Sequence, residues 1–309
     1  MDFGVHLPLI DFDGAGYSWE RLAAYVRAAR DLGFHAIAAN DHLLFSSPWL
    51  DGPTALAATL GESAPMDLMT TLALPVLRQP VVLAKTLSAL DVLSGGRMIA
   101  GVGPGSSARD YAAVGIPFEE RWSRFDEATT SLRILLGHGE PVAGRHHATE
   151  DLALEPRPVG TRGIPIWIGS WGSEAGLRRV ARLGDGWLAS GYNVTPASLD
   201  ASLTRLRPML RSAGKDPEAF PNALATVWFD VADTKAETDA VYRDILVRAT
   251  GRDEEYLRER LPVGSVELVV RRLAALQDAG ARRILLWPVR DELRQLHRFA
   301  DEILPALHA

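Results

Sequence analysis

The chain has 309 residues, 47% of them hydrophobic and 23% charged, with a net charge of −6 and no cysteine. That length and composition suit one large α/β domain with a sizeable core. The acidic balance argues against a nucleic-acid partner, and the lack of cysteine excludes disulfides, thiolate metal sites and cysteine nucleophiles. The N-terminus, Met1-Asp2-Phe3-Gly4-Val5-His6, enters a strand at once, without the basic-then-apolar pattern of a signal peptide. No apolar run approaches the roughly 20 residues of a membrane helix. The expectation is a cytoplasmic protein without a membrane partner.

In chain order, apolar runs predict strands at Phe3–Leu7, Ala36–Ala39, Leu68–Thr71, Met98–Val102, Pro165–Ile168, Gly186–Ala189, Ala225–Phe229 and Arg283–Trp287. Most lack polar alternation, as parallel strands buried on both faces do. Between them, helical spacing marks Ser18–Asp31, Val81–Leu93, Arg121–Leu136, Ser173–Leu183, Pro196–Ser212, Lys235–Ala249, Ser265–Ala279 and Glu292–Leu304. Gly280 stands where a left-handed helix cap is favoured. Strands and helices in strict alternation predict a (β/α)₈ TIM barrel with insertions, read as a single domain over residues 1–309. Three connections are too long for plain loops: Leu43–Pro65, Gly137–Gly163 and Gly251–Pro262. The first follows a strand end and so is expected over the barrel mouth.

Chemistry in such folds gathers at the C-terminal ends of the strands. Asp41-His42 closes the second strand and suits a proton-handling pair, since imidazole changes charge near neutrality. The competing reading has both residues capping local backbone. His6 lies in the first strand and reads equally as a satisfied core residue. Thr70-Thr71-Leu72 closes the third strand, where hydroxyls bond either a ligand or the backbone. Gly103-Pro104-Gly105-Ser106-Ser107-Ala108 follows the fourth strand. Its Gly-x-Gly-x-x-Ala spacing fits a loose dinucleotide fingerprint, but Pro104 removes a donor and no strand-terminal acid follows, so a Rossmann site is rejected. Gly169-Ser170-Trp171-Gly172-Ser173-Glu174-Ala175 opens a helix and is the best phosphate-binding candidate, with Ser173 as an ordinary N-cap as the alternative. His146-His147 reads as surface, and no residue set suggests a metal.

The order and spacing of several motifs resemble the luciferase-like monooxygenase superfamily, most closely its branch that uses the 5-deazaflavin coenzyme F420. They are Gly33-Phe34 through Asp41-His42, Leu77-Arg78-Gln79-Pro80, Leu90-Asp91-Val92-Leu93-Ser94-Gly95-Gly96-Arg97 and Gly101-Val102-Gly103. Pro156-Arg157-Pro158, Pro165-Ile166-Trp167-Ile168-Gly169, Gly184-Asp185-Gly186-Trp187 and Asp278-Ala279-Gly280 continue the match along nearly the whole chain. The resemblance implies a luciferase-like barrel, with the tricyclic ring at its mouth and a non-prolyl cis peptide at Thr71–Leu72 backing that ring. It implies cofactor contacts at Asp41, Thr70, Thr71, Leu72, Gly103, Gly105, Ser106 and Arg109. The phosphate would lie along Gly169, Ser170, Trp171, Gly172, Glu174 and Ala175. It also implies a homodimer.

One position departs from the pattern. Sugar-phosphate dehydrogenases of this branch carry a glutamate after the Gly-x-Gly of strand four, and this chain has Ser106, which argues against glucose 6-phosphate as substrate. The resulting expectation is an F420-dependent oxidoreductase that moves a hydride between the deazaflavin and a small organic substrate. His42 would be the acid or base, tuned by Asp41, with Phe45, Trp49 and Trp228 (and Trp171 beside them) around the substrate. The alternatives are an FMN-dependent monooxygenase, a non-catalytic flavin-binding barrel, and a metal-dependent hydrolase using Asp41, His42 and His6.

Overall fold

All strand pairings are parallel and the ring closes on itself. The computed structural model describes residues 1–309 apart from 13, 15, 46, 138–143, 148, 150–152 and 309. Its strands are β1 (Asp2–His6), β2 (Ala36–Ala39), β3 (Asp67–Ala73), β4 (Met98–Val102), β5 (Ile166–Gly169), β6 (Gly186–Ser190), β7 (Asn222–Val231), β8 (Val263–Gly264) and β9 (Arg283–Pro288). β1 to β7 pair in sequence around the barrel, β9 lies between β7 and β1, and β8 flanks β7 outside the ring. The expected (β/α)₈ barrel is therefore what the chain forms.

The eight expected strands are all present, with ends displaced by a few residues. β7 starts at Asn222, ahead of the expected Ala225. β8 was not expected. The long connections are more ordered than loops. Asp51 caps a helix at Gly52–Ala58, its carboxylate accepting the Thr54 N–H at 2.9 Å. A second helix, Glu254–Arg260, occupies the segment expected as the loop Gly251–Pro262. The expected helices at 235–249 and 292–304 each contain a wider π turn, at Val241–Leu246 and Phe299–Ile303. Tyr242 and Leu246 in one, and Phe299 and Ile303 in the other, face the core there.

Two apolar layers result. The larger lies between the strands and the surrounding helices. The smaller fills the barrel interior with Ala38, Met69, Leu188, Ala225 and Leu285, and Leu72 packs on it. Inside the ring the strands leave little room. A Cβ on Gly101 would sit 2.0 Å from the Thr70 carbonyl oxygen, and one on Gly52 would sit 2.1 Å from the Asn40 carbonyl oxygen. Glycine at these positions lets β3, β4 and the inserted helix close around the upper end of the barrel, which fixes the residues of the mouth.

Candidate active site

A polar chain crosses the mouth just above the apolar interior. The Thr71 hydroxyl donates to Asn40 Oδ1 at 3.1 Å, and Asn40 Nδ2 donates to Thr226 Oγ1 at 3.2 Å. The Thr226 amide donates to His6 Nε2 at 3.0 Å. Thr226 sits in a bulge of β7 with φ of 58°, a left-handed conformation that a β-branched residue rarely adopts. Thr71–Leu72 is a cis peptide, in the position the family resemblance implied. His6 is fully buried and stacked on Trp287, with ring centroids 4.7 Å apart and planes 10° apart. Burial pushes its pKa down to about 3, so the ring is neutral.

The Asp41–His42 pair does not form. β2 ends at Ala39, and beyond it the two side chains take different partners. Asp41 is buried and receives Arg78 Nε and Nη2, each at 2.6 Å, and the Leu74 N–H at 3.3 Å. It locks the segment after β3 rather than tuning a histidine. Arg78, which also bonds Asp51, is held above its ordinary pKa by these carboxylates against the opposing pull of burial. The partner of His42 is Asp110, whose Oδ2 lies 3.2 Å from His42 Nδ1. Asp110 is buried, and its Oδ1 accepts the Leu44 N–H at 2.9 Å. A carboxylate can only accept, so Nδ1 carries the proton and Nε2 is the nitrogen left to exchange one. Asp110 was missed because the short helix Ala108–Ala113 was not expected and nothing local links its acid to a histidine 68 residues away. Ser107 caps that helix, its hydroxyl accepting the Asp110 N–H at 3.1 Å.

The aromatic residues expected around the substrate do meet. His42 packs on Phe45 and Trp49, with centroids at 5.0 and 4.8 Å, and Phe45 meets Trp49 edge-on. Trp49 and Trp228 both contact Trp287, and Tyr192 stacks on Trp228. Trp287 centres the cluster, although the sequence showed it only as the end of a strand. Trp49 is placed by a bridge to Ile10, which folds the start of the inserted segment down over the mouth. Trp171 is exposed and stands outside the cluster.

The loop residues divide into packed and open ones. The Thr70 hydroxyl donates to the Gly101 carbonyl at 2.8 Å. A Cβ on either Gly103 or Gly169 would sit 2.4 Å from Leu72 Cδ1, so both glycines make room for that side chain and leave a low apolar floor. Gly105 has φ of 77°, while Ser106 and Arg109 are exposed. Arg109 forms no ion pair among the described residues. Ser170 Oγ accepts the Gly172 N–H at 3.2 Å, and Ser173 caps the helix Glu174–Leu183 by accepting the Gly176 N–H at 3.2 Å. The amides of Glu174 and Ala175 are left open at the helix start, and the Glu174 carboxylate pairs with Arg178. His6 is engaged by Thr226 and Asp41 by Arg78, so the set Asp41, His42 and His6 does not converge on a metal.

An acceptor-rich planar heterocycle with an anionic tail fits this arrangement. Leu72 fills the space that Gly103 and Gly169 leave, buried indole and imidazole N–H groups without partners lie within the ring cluster, and the open helix amides and exposed Arg109 are suited to an anion. The luciferase-like monooxygenase family model matches residues 1–254. The chain belongs to that family. Within it, an F420-dependent hydroxymycolic acid dehydrogenase of Mycobacterium tuberculosis is 28% identical over 93% of this chain and 84% of its own length. An F420-dependent glucose-6-phosphate dehydrogenase of Nakamurella multipartita is 26% identical over 93% of this chain and 92% of its own. A solved F420-dependent secondary alcohol dehydrogenase, in complex with an F420-acetone adduct, superposes with a TM-score of 0.85 at 18% identity, covering 99% of this chain and 98% of that one. The last likeness is one of fold.

Proposed function

We propose that this luciferase-like barrel is a coenzyme F420-dependent oxidoreductase that interconverts a small uncharged carbonyl compound and its reduced form. The observation that carries the reading is His42: an imidazole with its tautomer fixed by a buried carboxylate, set against an aromatic mouth. The two F420-dependent relatives, each aligned over 93% of this chain, support the choice of cofactor. Leu72, Gly103 and Gly169 would carry the ring, and the Glu174 and Ala175 amides with Arg109 would hold the phosphate and acidic tail. When bound, the deazaflavin supplies or accepts the hydride.

The protein's part is to place the substrate and to move one proton. For reduction, His42 Nε2–H donates to the oxygen that becomes a hydroxyl; for oxidation, neutral Nε2 takes the hydroxyl proton. Asp110 stabilises the imidazolium present in either direction. Phe45, Trp49 and Trp228 exclude water. No arginine or lysine stacks over these rings among the described residues, and the lining is mostly apolar, which favours an uncharged substrate. Ser106 puts no carboxylate after the Gly-x-Gly, and Asp110 is committed to His42 and Leu44. Both facts weigh against a sugar phosphate.

Titrating the purified protein with F420 and with FMN, by absorbance and fluorescence, tests the cofactor. Saturable F420 binding with F420-dependent ketone or alcohol turnover and no oxygen uptake is expected. Tight FMN binding with oxygen consumption and no F420 affinity would overturn the reading. The homodimer is part of the same proposal. The helix Pro80–Ser94 exposes Val82 and Leu93 at 62% and 72%, with Val81 and Val92 beside them, more apolar surface than a lone helix face ordinarily leaves bare. Sedimentation at the dimer mass is expected, and a concentration-independent monomer would remove it.

A further inference from the structure

Four N–H donors of the ring cluster have no acceptor among the described residues: His6 Nδ1, Trp49 Nε1, Trp228 Nε1 and Trp287 Nε1. His6, Trp228 and Trp287 are at least nine-tenths buried. Indole nitrogen can only donate. For His6 the same follows from its neighbour: the Thr226 amide is itself a donor, so Nε2 must present its lone pair, and the ring proton resides on Nδ1. Buried donors without acceptors carry the full cost of their lost hydration, and native structures contain few of them. Here they share one cluster, and the cluster contributes no acceptor.

The protein holds His6 in this state at some expense. Thr226 keeps a left-handed backbone that turns its amide onto Nε2, and Asn40 fastens the Thr226 hydroxyl. Such conformations persist where the surroundings enforce them, and they gather at ligand sites. The stacked Trp287 ring fixes the imidazole plane.

We propose that His6 Nδ1–H binds the carbonyl oxygen of an uncharged ring-bearing ligand at the base of the mouth. A carbonyl oxygen carries lone pairs and no proton, which is what a lone buried donor lacks. Two sources offer this chemistry: the dione edge of the deazaflavin, or the carbonyl of the substrate. The inference rests on the proposed function only in placing the ligand at the barrel mouth.

The test is nitrogen-15 NMR of the protein labelled at histidine, with the His6 signals assigned by their loss in His6→Phe. The unliganded protein is expected to show a proton on Nδ1 and a ring that does not titrate between about pH 5 and pH 8. Adding F420 alone, and then F420 with cyclohexanone, should move the Nδ1–H resonance downfield. A shift with F420 alone assigns the oxygen to the heterocycle, and a shift only with the ketone assigns it to the substrate. F420 binding seen by absorbance while the Nδ1–H resonance stays put in both arms overturns the inference, as does a proton found on Nε2. Absence of any F420 or FMN binding is the distinct failure of the functional reading, and the inference falls with it. As a second measurement, His6→Phe should weaken binding of the oxygen-bearing ligand about tenfold with kcat changed far less. His6→Gln, which offers both an acceptor to Thr226 and a donor, should restore most of the loss. Equal affinity in the Phe variant and wild type also overturns it.

Discussion

His42→Ala should lower F420-dependent kcat by at least about 100-fold while leaving F420 affinity within a few fold, because a positioned acid or base is worth roughly 10²–10⁴ in rate. Asp110→Asn should lower kcat by about 10–100-fold for a separable reason. Both Asp110 oxygens accept, one from His42 Nδ1 at 3.2 Å and one from the Leu44 N–H at 2.9 Å. Asparagine offers one acceptor and one NH₂ group. If its oxygen stays with Leu44, its amino group faces Nδ1 and drives the histidine proton to Nε2, the wrong tautomer for a base. If it turns round, the Leu44 amide loses its acceptor and the start of the inserted segment loosens. Thermal unfolding distinguishes this from a general loss of fold: the asparagine variant should keep a single cooperative transition while kcat falls. Unchanged turnover in His42→Ala would remove the proton-transfer role altogether.

Arg78→Ala should be the most destabilising single change near the site, by about 3–5 kcal/mol, the range for a buried ion pair that loses one partner. For a chain of this size, with an unfolding entropy of about 0.65 kcal/mol/K, that corresponds to a fall in Tm of roughly 5–8 °C. The Asp41 side chain is only 1% exposed and receives two guanidinium bonds of 2.6 Å, so removal of the arginine strands a carboxylate in the interior. The double change Asp41→Asn with Arg78→Leu should recover much of the loss, because the stranded charge is gone. Thermal unfolding followed by circular dichroism reads both. A melting point for Arg78→Ala within 2 °C of wild type would show that the pair does not lock the segment after β3, and would reopen a role for Asp41 in the chemistry.

The sequence alone determined the eight barrel strands and their alternation with helices. Buried parallel strands write themselves as short apolar runs, and helices as 3.6-residue stripes with local caps such as Ser173. These signals lie within a few residues of one another, and the closed barrel follows from their order. The cis peptide at Thr71–Leu72 was implied by the family resemblance, which also grouped Phe45, Trp49 and Trp228 around the substrate.

Only the tertiary structure decided which side chains face each other. His42 and Asp110 are 68 residues apart in the chain, and His6 and Thr226 are 220 apart. Asp41 precedes His42 directly, and that adjacency suggested a pair; each instead took the partner that the barrel's closure brought to it. Trp287 became the centre of the mouth for the same reason. A hydrogen bond is fixed by position in space to within a few tenths of an ångström, and local sequence carries no record of which distant strand end arrives there.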